Sequence, residues 1–314
     1  MCLPVLATAP LAYTADALVR MERFRDGLAS AARELLETHL ALPREVHYVA
    51  DLQRWLLSQM TVALHFENQL DPTAPPISPM NLIRAMQGAG IASRNTFYTF
   101  LQEMRRYGFI VPMPGDDRRQ RFSQATEKSE QLIRRYFDIH LRALDVVDGG
   151  QRYAMSSRDP GLLFRAQPRF ARLLLAQDDW HRPPHSIAKF VRSDSGSSVL
   201  HDLIKDVPAL SAGMTSPIAV GKVSPNALSQ RYRISKTHTA RLFGLAREAG
   251  LVGWDRSSNR GECWVSPELV HAYRRWQAVK LAAVSQAFRE ACGNTDAAAV
   301  EAYELAAGPY AESR

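Results

Sequence analysis

Ser93–Val111 reads SRNTFYTFLQEMRRYGFIV, and Ser235–Gly253 reads SKTHTARLFGLAREAGLVG. The two stretches align without a gap at an offset of 142 residues. Each opens on a serine suited to cap a helix start, and each runs to a glycine, Gly108 or Gly250, suited to the left-handed residue after a helix end. Between those marks Leu101 falls opposite Phe243, and Met104 opposite Ala246. An apolar run follows each glycine, Phe109-Ile110-Val111 and Leu251-Val252-Gly253, and is ready to enter a strand. An internal duplication of one structural unit is the simplest account.

The match continues outward on both sides. Upstream, Ser78-Pro79 and Ser224-Pro225 each read as an N-cap followed by proline at the first helical position. Each starts a short helix, to about Met86 and about Tyr232. The offset here is 146, so the turn between the paired helices differs by four residues. Downstream of Gly108, FIVPM reads as a strand, GDDRRQ as a tight basic turn and RFSQA as the return. Downstream of Gly250 the same series is LVGW, DRSSNRGE and CWV. Trp254 and Trp264 read as a cross-strand pair bracing the second hairpin.

Helical periodicity extends over residues 16–39, 46–68, 127–147, 162–177 and 266–291. Pro72, Pro75, Pro76 and Pro79 end the second of these stretches. Asp148–Gly161, DGGQRYAMSSRDPG, is rich in turn formers and reads as a linker. The expected domains are therefore 1–150, N-terminal helices plus the first unit, and 151–314, a helical segment plus the second unit and the C-terminal helix.

Helix, turn, helix ending in glycine, strand, basic turn, strand, helix is the order of a winged helix-turn-helix. The expected fold is mainly α with small β-hairpin wings, two such modules sitting on a helical scaffold. The third helix of such a module enters the major groove, where its exposed N-terminal half reaches base edges and phosphates. The candidates are Ser93, Arg94, Asn95, Thr96, Tyr98 and Thr99 in the first copy. In the second they are Ser235, Lys236, Thr237, His238, Thr239 and Arg241. The wings add Arg118, Arg119 and Arg121, then Arg256, Asn259 and Arg260. Short hydroxyls, amides and cations are what phosphate positioning and base readout require.

Charge is placed to match. The chain carries a net +7, with eight Lys/Arg against two Asp/Glu between Lys222 and Arg260, and six against three between Arg94 and Arg121. These two stretches together exceed the whole chain's excess, so the remainder is slightly acidic. Local basic stripes are the footprint of a partner bound through counterion release.

The first copy resembles the MarR family of bacterial regulators over roughly residues 78–133. The matching features are a third helix ending in Arg106-Tyr107-Gly108-Phe109-Ile110, then Asp117-Arg118-Arg119 in the wing. Ala125-Thr126-Glu127-Lys128 follows where the closing helix starts. Ala125 stands where the family usually has Leu, and Ser129 where it often has Gly. The resemblance implies that Arg118 or Arg119 enters a minor groove, and it leaves room for a small-molecule effector. Two MarR-like subunits offer two reading heads to a pseudo-palindromic site. A tandem chain can do so as a monomeric pseudo-dimer, its third helices facing successive major grooves about 34 Å apart; a homodimer is the other arrangement.

The leading functional expectation is sequence-specific binding of double-stranded DNA by a transcriptional regulator. The alternatives are a plasmid-type replication initiator and a protein–protein assembly module built on winged helices. No GxSxG, P-loop, GxGxxG after a strand, HExxH or CxxC occurs, so an enzyme is not expected. No cofactor or metal is expected either, because His181, His185 and His201 lack ligand spacing and Cys2, Cys263 and Cys292 are scattered. Phe97, Phe100, Tyr107 and Phe109 read as core rather than as a stacking platform. No basic n-region precedes the first apolar residues and no apolar run approaches a span, so a cytoplasmic protein without a membrane partner is expected.

Overall fold

A computed structural model of the chain describes residues 10–114, 122–211, 213–256 and 259–306. The fold is mainly helical, 66% of it helix, with two small antiparallel sheets. It opens with α1 (Ala15–Arg20), α2 (Phe24–Ala41), α3 (Pro43–His47) and α4 (Leu52–Leu70). The continuous helix expected over residues 16–39 is broken at Met21, whose backbone is extended. The break lets α1 turn away and bury Leu18 completely.

Next come α5 (Pro79–Ala85), α6 (Arg94–Arg106), β1 (Ile110–Pro112), β2 (Ser123–Ala125) and α7 (Glu127–Asp148). A helical segment follows with α8 (Arg152–Arg158), α9 (Gly161–Leu175), α10 (Asp178–His181), α11 (His185–Val191) and α12 (Gly196–Ile204). The chain ends with β3 (Ile218–Gly221), α13 (Pro225–Arg231), α14 (Lys236–Glu248), β4 (Val252–Arg256), β5 (Arg260–Val265) and α15 (Pro267–Ala306).

The two repeated stretches adopt the same local structure, bond for bond. Ser78 and Ser224 cap seven-residue helices by accepting from the backbone N–H of Asn81 and Ala227. Ser93 and Ser235 cap thirteen-residue helices by accepting from Thr96 and His238. At the far ends Gly108 and Gly250 take φ of 73° and 68°, a left-handed conformation that a side chain would strain. The next residue then folds back, Phe109 N–H to Met104 O at 2.8 Å and Leu251 N–H to Ala246 O at 2.9 Å. This is the six-to-one bond of a Schellman ending. After each hairpin the chain returns to the same place, Thr126 N–H to Phe109 O and Ser266 N–H to Leu251 O.

The hairpins differ. In the second unit β5 is central, flanked by β3 and β4, whereas in the first only a bridge between Ile77 and Ser123 occupies the place of β3. β3 is a strand that periodicity misses, being four residues with one buried side chain, Ile218.

The two tryptophans do not pair. Trp254 stands opposite Cys263 and Trp264 opposite Gly253. Cross-strand partners share a face and neighbours alternate, so the two rings lie on opposite faces of the hairpin. The Trp264 ring covers Gly253, where an added Cβ would fall 2.2 Å from it. Trp254 instead donates to Val223 O at 3.0 Å and meets Phe243 edge-on.

The helices exchange partners between the halves. α2 lies along α7, as α9 lies along α15. α4 crosses to pack on α9, as α12 crosses to pack on α2. A hydrogen bond from the buried Gln167 amide to Gln59 O at 2.9 Å ties α9 to α4. The buried apolar residues accordingly form one core running from Leu18 to Cys292.

Residues 148–161 are not a linker. The turn-forming composition is used to wrap α8 around a buried cation. Arg152, 2% exposed, is held by Asp145 at 3.2 Å, Asp148 at 2.6 Å and the carbonyl of Leu11 at 3.0 Å. Tyr13 adds a hydrogen bond to Asp148 at 2.7 Å, so the N-terminal segment is pinned to the end of α7. Burial opposes ionisation of Asp148, but its hydrogen bonds from Arg152 and Tyr13 outweigh that and hold its carboxyl below the usual range.

Candidate nucleic-acid interface

Both thirteen-residue helices are amphipathic, which decides what each can present. On α6 the apolar stripe is Phe97, Phe100, Leu101 and Met104, all buried. Ser93, Arg94, Asn95, Tyr98 and Thr99 are exposed on its outer face. Thr96 is half-buried and shares a hydrogen bond of 2.9 Å with the capping Ser93 hydroxyl. The aromatics Phe97, Phe100 and Phe109 are buried; Tyr107 is exposed and stacks on Tyr48 with ring centroids 3.9 Å apart.

On α14 the stripe is Thr239, Leu242, Phe243 and Ala246. Ser235, Lys236, Thr237 and Arg241 are exposed. Thr239 is therefore not a contact residue: it takes the register of Phe97, is 1% exposed, and donates to Ser235 O at 3.1 Å. Counting hydroxyls without placing them on a helix face puts it in the wrong group. His238 is half-buried and its Nε2 is enclosed without a hydrogen-bond partner.

The hairpin-turn candidates divide. Arg118, Arg119 and Arg121 lie outside the described residues, as does the side chain of Arg260. Arg256 is exposed on β4, beside a register irregularity. Asn259 is half-buried at a left-handed φ of 58°, and its side-chain oxygen accepts from Arg247 at 3.2 Å. It shapes the turn.

The electrostatics of the two helix starts are alike. Neither α6 nor α14 has an acidic residue in its first turn, whereas α7 opens with Glu127 and Glu130. The positive end of each helix is thus left uncompensated and faces solvent with Arg94 or Lys236 beside it. Among the described residues Arg94, Lys236, Arg241 and Arg256 form no salt bridge. Cations of the scaffold are placed differently: Arg142 pairs with Glu34, Arg169 with Glu290 and Arg172 with Glu67. An array of exposed cations and hydroxyls at a positive helix end can take phosphate groups.

Sequence reasoning missed the residues that brace this arrangement. Arg105, in the last turn of α6, donates to the Ser123 hydroxyl on β2 at 2.7 Å. Arg247 holds the same register on α14 and reaches Asn259. The signal was available, since both copies carry arginine at that position of the alignment.

The histidines are used locally. His201 Nδ1 lies 2.6 Å from the Tyr273 hydroxyl, and His181 lies 3.2 Å from Asp178. Among the described residues no group of three or more His, Cys, Asp or Glu is placed to hold a metal ion. None of the described helices is long and apolar enough to cross a membrane. No protein-family model, curated protein or solved structure matches the chain.

Proposed function

We propose that the chain binds double-stranded DNA sequence-specifically through two winged helix-turn-helix modules and acts as a transcriptional regulator. The observation that carries this reading is the pair of equivalent helices, α6 and α14. Each is capped by serine, free of acid in its first turn, and exposes cations that form no salt bridge among the described residues, beside short polar side chains. Arg94, Asn95, Tyr98 and Thr99 on one, and Lys236, Thr237 and Arg241 on the other, are the base-reading and phosphate-positioning candidates. Arg256, together with the basic turn Arg118-Arg119-Gln120-Arg121, adds backbone contacts from the hairpins.

The helix exchange supports a pseudo-dimer on one chain. The contact of α4 with α9 and its counterpart, α12 with α2, are what an isologous pair makes when each partner's surface meets the other's. The likeness of the first unit to MarR-like regulators accords with the same reading, as does the local excess of basic residues.

Selection from a randomised duplex pool tests it. Enrichment of a site with two half-sites about one helical turn apart supports two reading heads on one chain. Recovery of no preferred sequence, with equal affinity for selected and scrambled duplexes, overturns the claim of specificity.

A further inference from the structure

The short scaffold helix α11 carries core on one face and cations on the other. Ile187, Phe190 and Val191 are fully buried. His185, Lys189 and Arg192 recur at spacings of four and three residues, so they share the opposite face. His185 and Arg192 are exposed and Lys189 is half-buried. None of the three forms a salt bridge among the described residues. Arg182, just before the helix, is exposed, with its guanidinium 3.9 Å from Asp178. Other scaffold cations are turned inward or paired, as Lys280 of α15 is only 4% exposed and Arg142 holds Glu34.

The acids nearest this face are engaged elsewhere. Asp51 caps α4 through the Arg54 N–H, Asp194 lies 3.5 Å from His47, and Asp178 lies 3.2 Å from His181. The face is also fixed in place. Gly196, at the start of α12, packs so closely under α11 that an added Cβ would fall on the Phe190 carbonyl. A rigid cationic face loses little freedom when it takes an anion.

Its position is the second observation. On one side α11 packs against α14, the reading helix of the second unit. On the other, Arg182 and Arg192 line an open cleft of about 600 Å³, whose far wall is the turn Ala89-Gly90-Ile91. That turn is four residues longer than its counterpart in the second unit, and Gln53 holds it by donating to Ile91 O at 2.6 Å. Ile91 stands two residues before Ser93, the cap of α6. The cations thus run from the second reading helix to the entry of the first. His185 to Arg192 spans about 10 Å of helix, the axial reach of about three phosphates of one strand.

We infer that this face of α11, with Arg182, is a third DNA contact, a phosphate track for the stretch of duplex between the two half-sites. It carries no base-reading side chains on the helix face, so it adds affinity without sequence preference. A duplex that meets α6 and α14 together crosses the ground between them, and α11 occupies that ground. This inference rests on the DNA reading proposed above.

The test compares the full-length wild type with Lys189→Gln/Arg192→Gln by anisotropy, on two labelled duplexes of unrelated sequence across a salt series. The variant should melt with the wild type. Its slope of log affinity against log salt should be shallower by about one to two units, and equally so on both duplexes. A steep wild-type slope that the variant keeps overturns the phosphate track and leaves the reading heads standing. A wild type that binds neither duplex overturns the DNA reading and the track with it. A second measurement needs no variant: bound duplex should slow acetylation of the Lys189 amine by N-hydroxysuccinimide acetate, read by mass spectrometry. Equal labelling with and without bound duplex overturns the proposal.

Discussion

The Arg247 guanidinium donates to the Asn259 side chain at 3.2 Å, fastening the last turn of α14 to the tip of its own hairpin. In the first unit Arg105, at the same register, fastens α6 to Ser123. We assign these two exposed arginines to bracing the hairpin rather than to contacting a partner. Arg247→Ala should cost about 0.5–1.5 kcal/mol of stability. DNA affinity should fall while the slope of log affinity against log salt stays as in the wild type. A slope reduced by about one, read from an anisotropy salt series, would make Arg247 a phosphate contact instead.

The clamp around Arg152 predicts a second outcome. Arg152→Met leaves Asp145 and Asp148 facing each other without their cation, and should cost about 3–5 kcal/mol by chemical denaturation. The acid limb carries a sign. The Asp148 carboxyl sits below its ordinary 3.8 in the folded chain, so it stabilises whenever it is ionised. Its contribution is whole above about pH 5, fades as the pH drops past the unfolded value, and vanishes once the folded carboxyl protonates. Asp148→Asn should therefore lower stability at pH 7 and converge on the wild type at low pH. A constant gap across that range would contradict the assignment.

Lys280 works in the opposite direction. Its folded amine titrates at about 7 against 10.5 unfolded, so the unfolded chain holds the extra proton between those values and stability rises with pH there. The groups facing it do not titrate in that window while folded: His140 and His201 are pushed far down, and Tyr136 and Tyr273 are pushed up. Lys280→Met should raise Tm by roughly 3 °C or more at pH 6, the effect of about 2 kcal/mol in a chain of this size. The gap to the wild type should close as the pH approaches 10. A lower Tm for the variant at pH 6 would show that the amine has a stabilising partner.

Gly253 is held by the ring above it. Alanine would place a Cβ 2.2 Å from the Trp264 ring, which must then swing off the hairpin. Gly253→Ala should destabilise by about 1–3 kcal/mol and weaken near-ultraviolet circular dichroism from tryptophan. Unchanged stability would mean the ring has another resting place.

Local chemistry made much of this legible in advance. The serine caps at Ser93 and Ser235 and the glycine stops at Gly108 and Gly250 depend on residues a few positions apart, so the repeat and its helices could be read directly. What the sequence hides depends on distance or on facing. Asp148, Gly149 and Gly150 look like turn formers until Arg152 is folded back onto Asp145 and Asp148 and Leu11 arrives from the far end of the chain. Thr239 has the chemistry of a contact residue but lies on the buried stripe with Leu242 and Phe243. Trp254 and Trp264 look symmetric in sequence, but the register Trp254 to Cys263 sends them to opposite faces. Lys280 reads as one more helical cation, since nothing in its neighbourhood along the chain says that α15 turns it inward.

The central claim is that both helix pairs touch DNA, and its most direct measurement is anisotropy of a labelled mixed-sequence duplex across a salt series. Wild type is compared with Arg94→Ala/Asn95→Ala and with Lys236→Ala/Arg241→Ala. The account predicts steep salt dependence for the wild type, with the first variant flattening the slope by about one unit and the second by about one to two. Absence of binding at moderate salt, or a slope that neither variant changes, would contradict it.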